Sequence, residues 1–253
     1  MAENEKPIAV PVPAATILLL RDVPGGLEVF MVKRHHQIDF VAGALVFPGG
    51  KVEKGDSDAA LKEFFDGGEA WTDAMRALGA GAIREAFEES GILLARDARH
   101  GDFVSGERLA ELQHYRPLLD KREAVLADVL RKEKLRLALD QLVHFAHWTT
   151  PANMPKRFDT HFFLAEMPTS QEAAYDHLET SDGVWITPEE ASAGYERGDF
   201  PLVFAQIHQL RELHGLGSFA DARARFAGHA PRTIMPRVVQ RDGKPVILLP
   251  DEE

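Results

Sequence analysis

Short apolar runs of strand length alternate with stretches of helical period along this 253-residue chain. Residues 14–21 and 27–34 read as two strands, and Asp22, Pro24, Gly25 and Gly26 between them predict a hairpin turn. Residues 44–47 add a strand that leads into a glycine loop, and residues 92–95, 142–150, 160–167 and 184–186 are further strand candidates. Helical spacing marks 59–65 and 71–78 around Gly67 and Gly68, then 82–90, and a long charged stretch from 106 to 139. Pro188 opens a helix behind a Thr187 cap, with further helices over 204–214 and 219–226. Residues 232–240 and 245–249 form a closing hairpin over Asp242 and Gly243. Strands and helices interleave without a repeat or a break in composition. The expectation is therefore an α/β fold in one domain, 1–253, with an insertion at 57–80 and a helical elaboration at 106–139.

The chemistry gathers between Phe47 and Ile92. The loop Phe47-Pro48-Gly49-Gly50-Lys51-Val52-Glu53-Lys54-Gly55-Asp56 has three glycines that permit close backbone approach to a ligand. Downstream, Glu85, Glu88 and Glu89 stand at i, i+3 and i+4 of a helix ended by Gly91, so their carboxylates share one side. Like charges so spaced repel. A hard cation such as Mg²⁺ or Mn²⁺ would neutralise them and grip phosphate oxygens. An isolated run of this kind is more commonly a solvated helix face; the upstream glycine turn and Arg84 favour the metal reading. The planar fork of Arg84 suits a carboxylate in the loop.

At these residues the chain resembles the Nudix hydrolases. Gly50, Arg84, Glu85, Glu88, Glu89, Gly91 and Ile92 fall on the Nudix box, with Ala86 as its small apolar residue. Asp56 stands where a glutamate is usual, and 27 residues separate it from Arg84, 20 more than the pattern has. Such an interrupted box is similar to that of coenzyme A diphosphatases. Phe30, Met31, Arg34, Gly43 and Phe47 to Gly50 also keep the spacing of their upstream motif, whereas Val32, His35 and Asp39 depart from it. The resemblance implies a Nudix-like α/β/α sandwich with a mixed sheet and helical insertions. It implies Mg²⁺-dependent (or Mn²⁺-dependent) hydrolysis of a diphosphate bond, in coenzyme A or acyl-coenzyme A first. ADP-sugars and other nucleoside diphosphate derivatives come second, and a non-catalytic nucleotide-sensing module is the alternative of a different class. Glu85, Glu88 and Glu89 would hold metal; Glu85, Glu89 and Arg84 would be catalytic; Arg34, Phe47, Gly49 and Gly50 would bind substrate. The water proton would go to Glu85 or Glu89, or to Glu179 from a loop.

Composition narrows the partners. A net charge of −11 argues against coating nucleic acid, and the absence of cysteine removes thiol catalysis and cysteine-bound zinc. The first residues have no basic stretch followed by an apolar core, no run reaches membrane-span length, and the last three residues are not a peroxisomal address. The expectation is a cytoplasmic enzyme of a small-molecule diphosphate, with no membrane or nucleic-acid partner and a homodimer left open. Lys156 and Arg157 read as loop charge, with phosphate contact as the alternative. His144 and His147, without a third ligand in view, read as core or edge histidines.

Overall fold

A computed structural model describes residues 8–34, 43–173 and 180–252. The chain begins with β1 (Val12–Val23), β2 (Gly26–Arg34), β3 (Leu45–Val46), β4 (Gly49–Lys51) and β5 (Phe65–Asp66), then the long helix α1 (Asp73–Ser90). There follow β6 (Ala95–Asp97), α2 (Gly106–Leu112), α3 (Arg116–Asp120), α4 (Leu126–Glu133), β7 (Leu135–Ala138), β8 (Val143–Thr149), β9 (Phe158–Glu166) and β10 (Thr180–Ile186). The C-terminal part holds α5 (Pro188–Arg197), α6 (Phe204–Leu213), α7 (Phe219–Phe226), β11 (Thr233–Ile234), β12 (Arg237–Arg241) and β13 (Lys244–Leu248).

The main sheet is mixed, in the order β10-β2-β1-β9-β8-β11, with β3 on β2 and β4 on β1. β1 runs parallel to β9 along most of its length, while its other edge is shared. Leu20 to Val23 pair with β2 in the expected hairpin, and Ala14 to Thr16 pair with β4. The chain thus leaves β2, returns through β3 and lays Gly49 and Gly50 against the free half of β1. β1 is apolar on both faces because both faces are covered. Ala15, Ile17 and Leu19 pack with Ile83, Ala86 and Phe87 of α1, and Leu18 and Leu20 pack with Ile207, Leu210 and Ala222 of α6 and α7. Each large aliphatic side chain so buried contributes about 1.5–3 kcal/mol. This is the expected α/β/α sandwich.

Four boundaries differ from the sequence expectation. Residues 71–78 are no separate helix: Asp73 onward is the start of α1, capped by the Thr72 side chain, which accepts from the Met75 N–H. Gly79 and Gly81 do not end this helix because their missing side chains admit neighbours. A Cβ on Gly79 would lie 2.9 Å from the Trp71 ring, and one on Gly81 3.1 Å from Asp56 Oδ2. Within 106–139, Leu135–Ala138 is a strand joining β5 and β6 in a second sheet, not helix. Of residues 92–95, only Ala95 is in a strand, although all four are buried. The closing hairpin is β12–β13, with Asp242 and Gly243 at φ 51° and 74°, whereas Thr233 and Ile234 pair with β8 instead. No helix among the described residues is long and apolar enough to cross a membrane.

Candidate functional site

The two halves of the interrupted box meet in space. Arg84 donates from Nε to Asp56 Oδ1 at 2.9 Å and from an η nitrogen to Asp56 Oδ2 at 3.0 Å, a bidentate pair spanning the insertion. The same guanidinium donates to Glu88 Oε2 at 2.8 Å and to the Lys51 carbonyl at 3.0 Å, and lies 3.0 Å from Glu85 Oε1. Asp56 Oδ2 also accepts from the Glu53 N–H at 2.8 Å, which closes the loop around the pair. Both residues are buried. Burial alone would pull the Arg84 pKa down, but the hydrogen bonds to Asp56 and the charges of Glu85, Asp56 and Glu88 raise it. Arg84 is therefore a fixed cation tying loop to helix.

The glutamates differ. Glu88 is buried; its Oε2 is held by Arg84, and its Oε1 has no hydrogen-bond partner. Burial pushes its pKa up to about 8 against the pull of Arg84, with Glu85 and Asp120 adding to the rise. An orphaned carboxylate oxygen in such a place is costly unless a proton or a cation meets it. Glu85 and Glu89 keep partial access to solvent. Glu89 Oε2 accepts from the Gly49 N–H at 3.1 Å. Three carboxylates on one side of one helix, one with an unmet oxygen, are hard oxygen donors of the kind a divalent cation takes, although their oxygens do not gather on one point as the side chains stand.

Gly50 leaves room for the Glu85 carboxylate: a Cβ there would lie 2.4 Å from Glu85 Oε1 and would push the end of that side chain aside. Gly49 is pressed against backbone, where a Cβ would lie 2.7 Å from the Ala15 carbonyl oxygen. Gly50→Ala is expected to displace the end of the Glu85 side chain, lowering turnover roughly 10²-fold with little change in melting temperature. Gly49→Ala, which meets backbone, is expected to lower the melting temperature as well. Equal effects of the two on thermal unfolding would contradict this distinction.

The other residues expected at the site divide. Phe47 does not face it; its ring is buried in the core beneath α6 and α7. Arg34 ends β2 opposite Thr180, and its side chain, like His35, Asp39 and Glu179, lies outside the described residues. Arg157 is not solvated loop charge, being buried with donations to the carbonyls of Thr150 and Ala9 at 3.0 and 2.8 Å. Beyond the Arg84–Asp56 pair, a cleft of about 440 Å³ opens between the glycine loop and α3–α4, with Lys51, Lys54 and Arg122 on its walls. On the α1 side of the sheet, His147 gains two neighbours from β9 that spacing along the chain did not reveal, Asp159 and His161. His144 and His161 are both pushed down to about 4, chiefly by burial, with the charge of His147 second.

A family model described as the NUDT19 Nudix domain matches residues 69–213. The glycine loop and Asp56 lie upstream of that match, and the ion pair to Arg84 joins them to it. A Caenorhabditis elegans protein named as a putative nudix hydrolase is 28% identical over 229 residues, 87% of this chain and 66% of its own length. The acyl-coenzyme A diphosphatase NUDT19 of Xenopus laevis is 24% identical over 74% of this chain and 59% of its own length. The chain thus spans about two thirds or less of these relatives. The crystal structure of a NUDIX hydrolase from Alicyclobacillus acidocaldarius superposes with a TM-score of 0.74, at 26% identity, over 86% of this chain and 97% of that one. Sharing that fold, and matched by the family model over more than half its length, the chain belongs to the Nudix hydrolase family.

Proposed function

We propose that this protein hydrolyses the diphosphate linkage of a nucleotide-containing metabolite, with coenzyme A and its acyl derivatives as the preferred class. The observation that supports the reading is the joined box: Arg84, paired with Asp56, holds Glu88 and lies beside Glu85, while Glu89 accepts from the Gly49 N–H of the loop. A divalent ion held by Glu85, Glu88 and Glu89 would supply positive charge to the diphosphate oxygens. The chain's own residues then divide the work. Glu88 contributes the buried, unpartnered oxygen. Arg84 donates to Asp56, Glu88 and the Lys51 carbonyl, so it holds Glu88 and the loop in place and is a positioning residue in this scheme. Glu85 and Glu89, which reach solvent, are the groups available to accept the proton of the attacking water. The Gly49 N–H orients Glu89 and holds the loop backbone beside that carboxylate. Lys51, Lys54 and Arg122 on the adjoining cleft suit the remaining charge of the substrate.

The coenzyme A preference rests on the interrupted box, the spacing from Phe30 to Gly50 and the activity named for the NUDT19 relatives. Purified protein with Mg²⁺ is to be assayed against coenzyme A, an acyl-coenzyme A, dephospho-coenzyme A and ADP-ribose, with products identified by mass. The expected products from coenzyme A are 4′-phosphopantetheine and adenosine 3′,5′-bisphosphate. Preference over dephospho-coenzyme A should be modest, since Asp39 stands where the related motif has an arginine. Ready cleavage of ADP-ribose with coenzyme A untouched would transfer the assignment to ADP-sugars. Tight nucleotide binding without cleavage of any of them would favour a sensing module.

A further inference from the structure

We propose that His147, Asp159 and His161 form a second cation site, distinct from the glutamates of α1 and suited to Zn²⁺. One potential ligand atom from each lies within 4.8 Å of the others. His147 sits on β8 opposite His161 on β9, and Asp159 lies two residues before His161, so strand alternation puts all three on one face of the sheet. The bulge between His144 and Ala146 brings His144 onto that face as well. The rings of His147 and His161 stack with centroids 3.9 Å apart, and His147 Nε2 is 2.6 Å from Asp159 Oδ1.

What distinguishes this cluster from a chance meeting of polar side chains is the support behind each member. His147 Nδ1 is 2.8 Å from Thr233 Oγ1, which leaves Nε2 as the nitrogen turned toward the cluster. His161 Nδ1 is 3.0 Å from His144 Nε2, which leaves its Nε2 as the metal-facing nitrogen. Asp159 Oδ1 accepts from Thr149 Oγ1 at 2.9 Å. Imidazole ligands of bound metals are usually oriented in this way, through a hydrogen bond at the other ring nitrogen. An ion would replace the direct contact between His147 Nε2 and Asp159 Oδ1. All three ligands are half-buried, so the cluster is in reach of solvent, which could supply a fourth ligand. Two imidazoles and one carboxylate are the donors of a borderline transition metal, whereas an all-carboxylate set suits Mg²⁺. Thr233 reaches the cluster because β11 pairs with β8 rather than with the closing hairpin. His161 also aligns with Ala15, which aligns with Gly50, so the cluster lies two strand spacings, roughly 10 Å, from the glycine loop.

The test uses the full chain, stripped of metal by a chelator and re-equilibrated with limiting Zn²⁺ in excess Mg²⁺. Bound zinc is counted by elemental analysis after gel filtration, and Co²⁺ is substituted to read its d–d absorption. The expected result is one zinc per chain, retained when Glu88 and Glu89 are both changed to Gln. His147→Ala and His161→Gln should each abolish retention. Thr233→Val, which removes only the support of His147, should weaken affinity about 10–100-fold and perturb the cobalt spectrum. Circular dichroism of each variant separates loss of the site from loss of the fold. Should either histidine variant unfold, the unaltered chain and the glutamine double variant still decide. No zinc retained by the folded, unaltered chain overturns the proposal. So does zinc that survives in both folded histidine variants, or that disappears with the α1 carboxylates.

Discussion

Asp56→Ala is expected to destabilise the protein by about 3–5 kcal/mol, the cost of leaving one partner of a buried ion pair behind. Arg84 is 5% exposed and Asp56 2%, so water cannot replace the lost carboxylate. Glu85 and Glu88 remain beside the guanidinium and offset part of the loss, which places the effect toward the lower figure. At roughly 2–4 °C per kcal/mol for a chain of this size, the melting temperature should fall by about 10 °C. The Glu53 N–H loses its acceptor at the same time, so the loop that presents Gly49 and Gly50 should loosen. Asp56→Asn, which keeps the shape and one acceptor oxygen, should lie between the two. A melting temperature unchanged in Asp56→Ala would show that the pair holds nothing together.

Changing Glu88 or Glu89 to Gln is expected to have the opposite profile. Turnover should fall by roughly two to four orders of magnitude, the equivalent of the several kcal/mol that a bound cation contributes to the transition state. The fold should survive. Glu88 carries a pKa pushed up to about 8, chiefly by burial, so near neutral pH without metal its uncharged form dominates and Gln resembles it. Glu89 loses one oxygen, but its amide carbonyl can still accept from the Gly49 N–H. Replacing Glu89 by Gln also takes a charge off that face of α1 and so relieves repulsion with Glu85. Steady-state rates at saturating Mg²⁺ together with thermal unfolding make the measurement. Near-normal turnover in both variants would remove the glutamates from the proposed chemistry.

Local patterning was enough to place the strands at the centre of the sheet, since residues 14–21, 27–34, 142–150 and 160–167 carry long apolar runs bounded by turn residues. It also put Glu85, Glu88 and Glu89 on one side of a helix, because helical periodicity is a local property. Capping at Thr187 and the turn at Asp242–Gly243 were legible for the same reason. Where α1 begins was not, because the helical spacing at 71–78 and at 82–90 reads as two segments, and only the packing of Gly79 on Trp71 and of Gly81 on Asp56 shows one continuous helix. The strand Leu135–Ala138 is hidden in helical spacing, since only its pairing with β5 and β6 distinguishes it. Phe47 reads as part of a ligand loop, but the turn into β4 sends its ring into the core. The meeting of Asp56 with Arg84 follows from residue chemistry, while its completeness, two bonds and full burial, needed the coordinates. His161, Asp159 and Thr233 reach His147 only through sheet register and a parallel β11. Pairing across strands depends on hydrogen bonds between segments distant along the chain, and no local pattern in residues 142–167 specifies it.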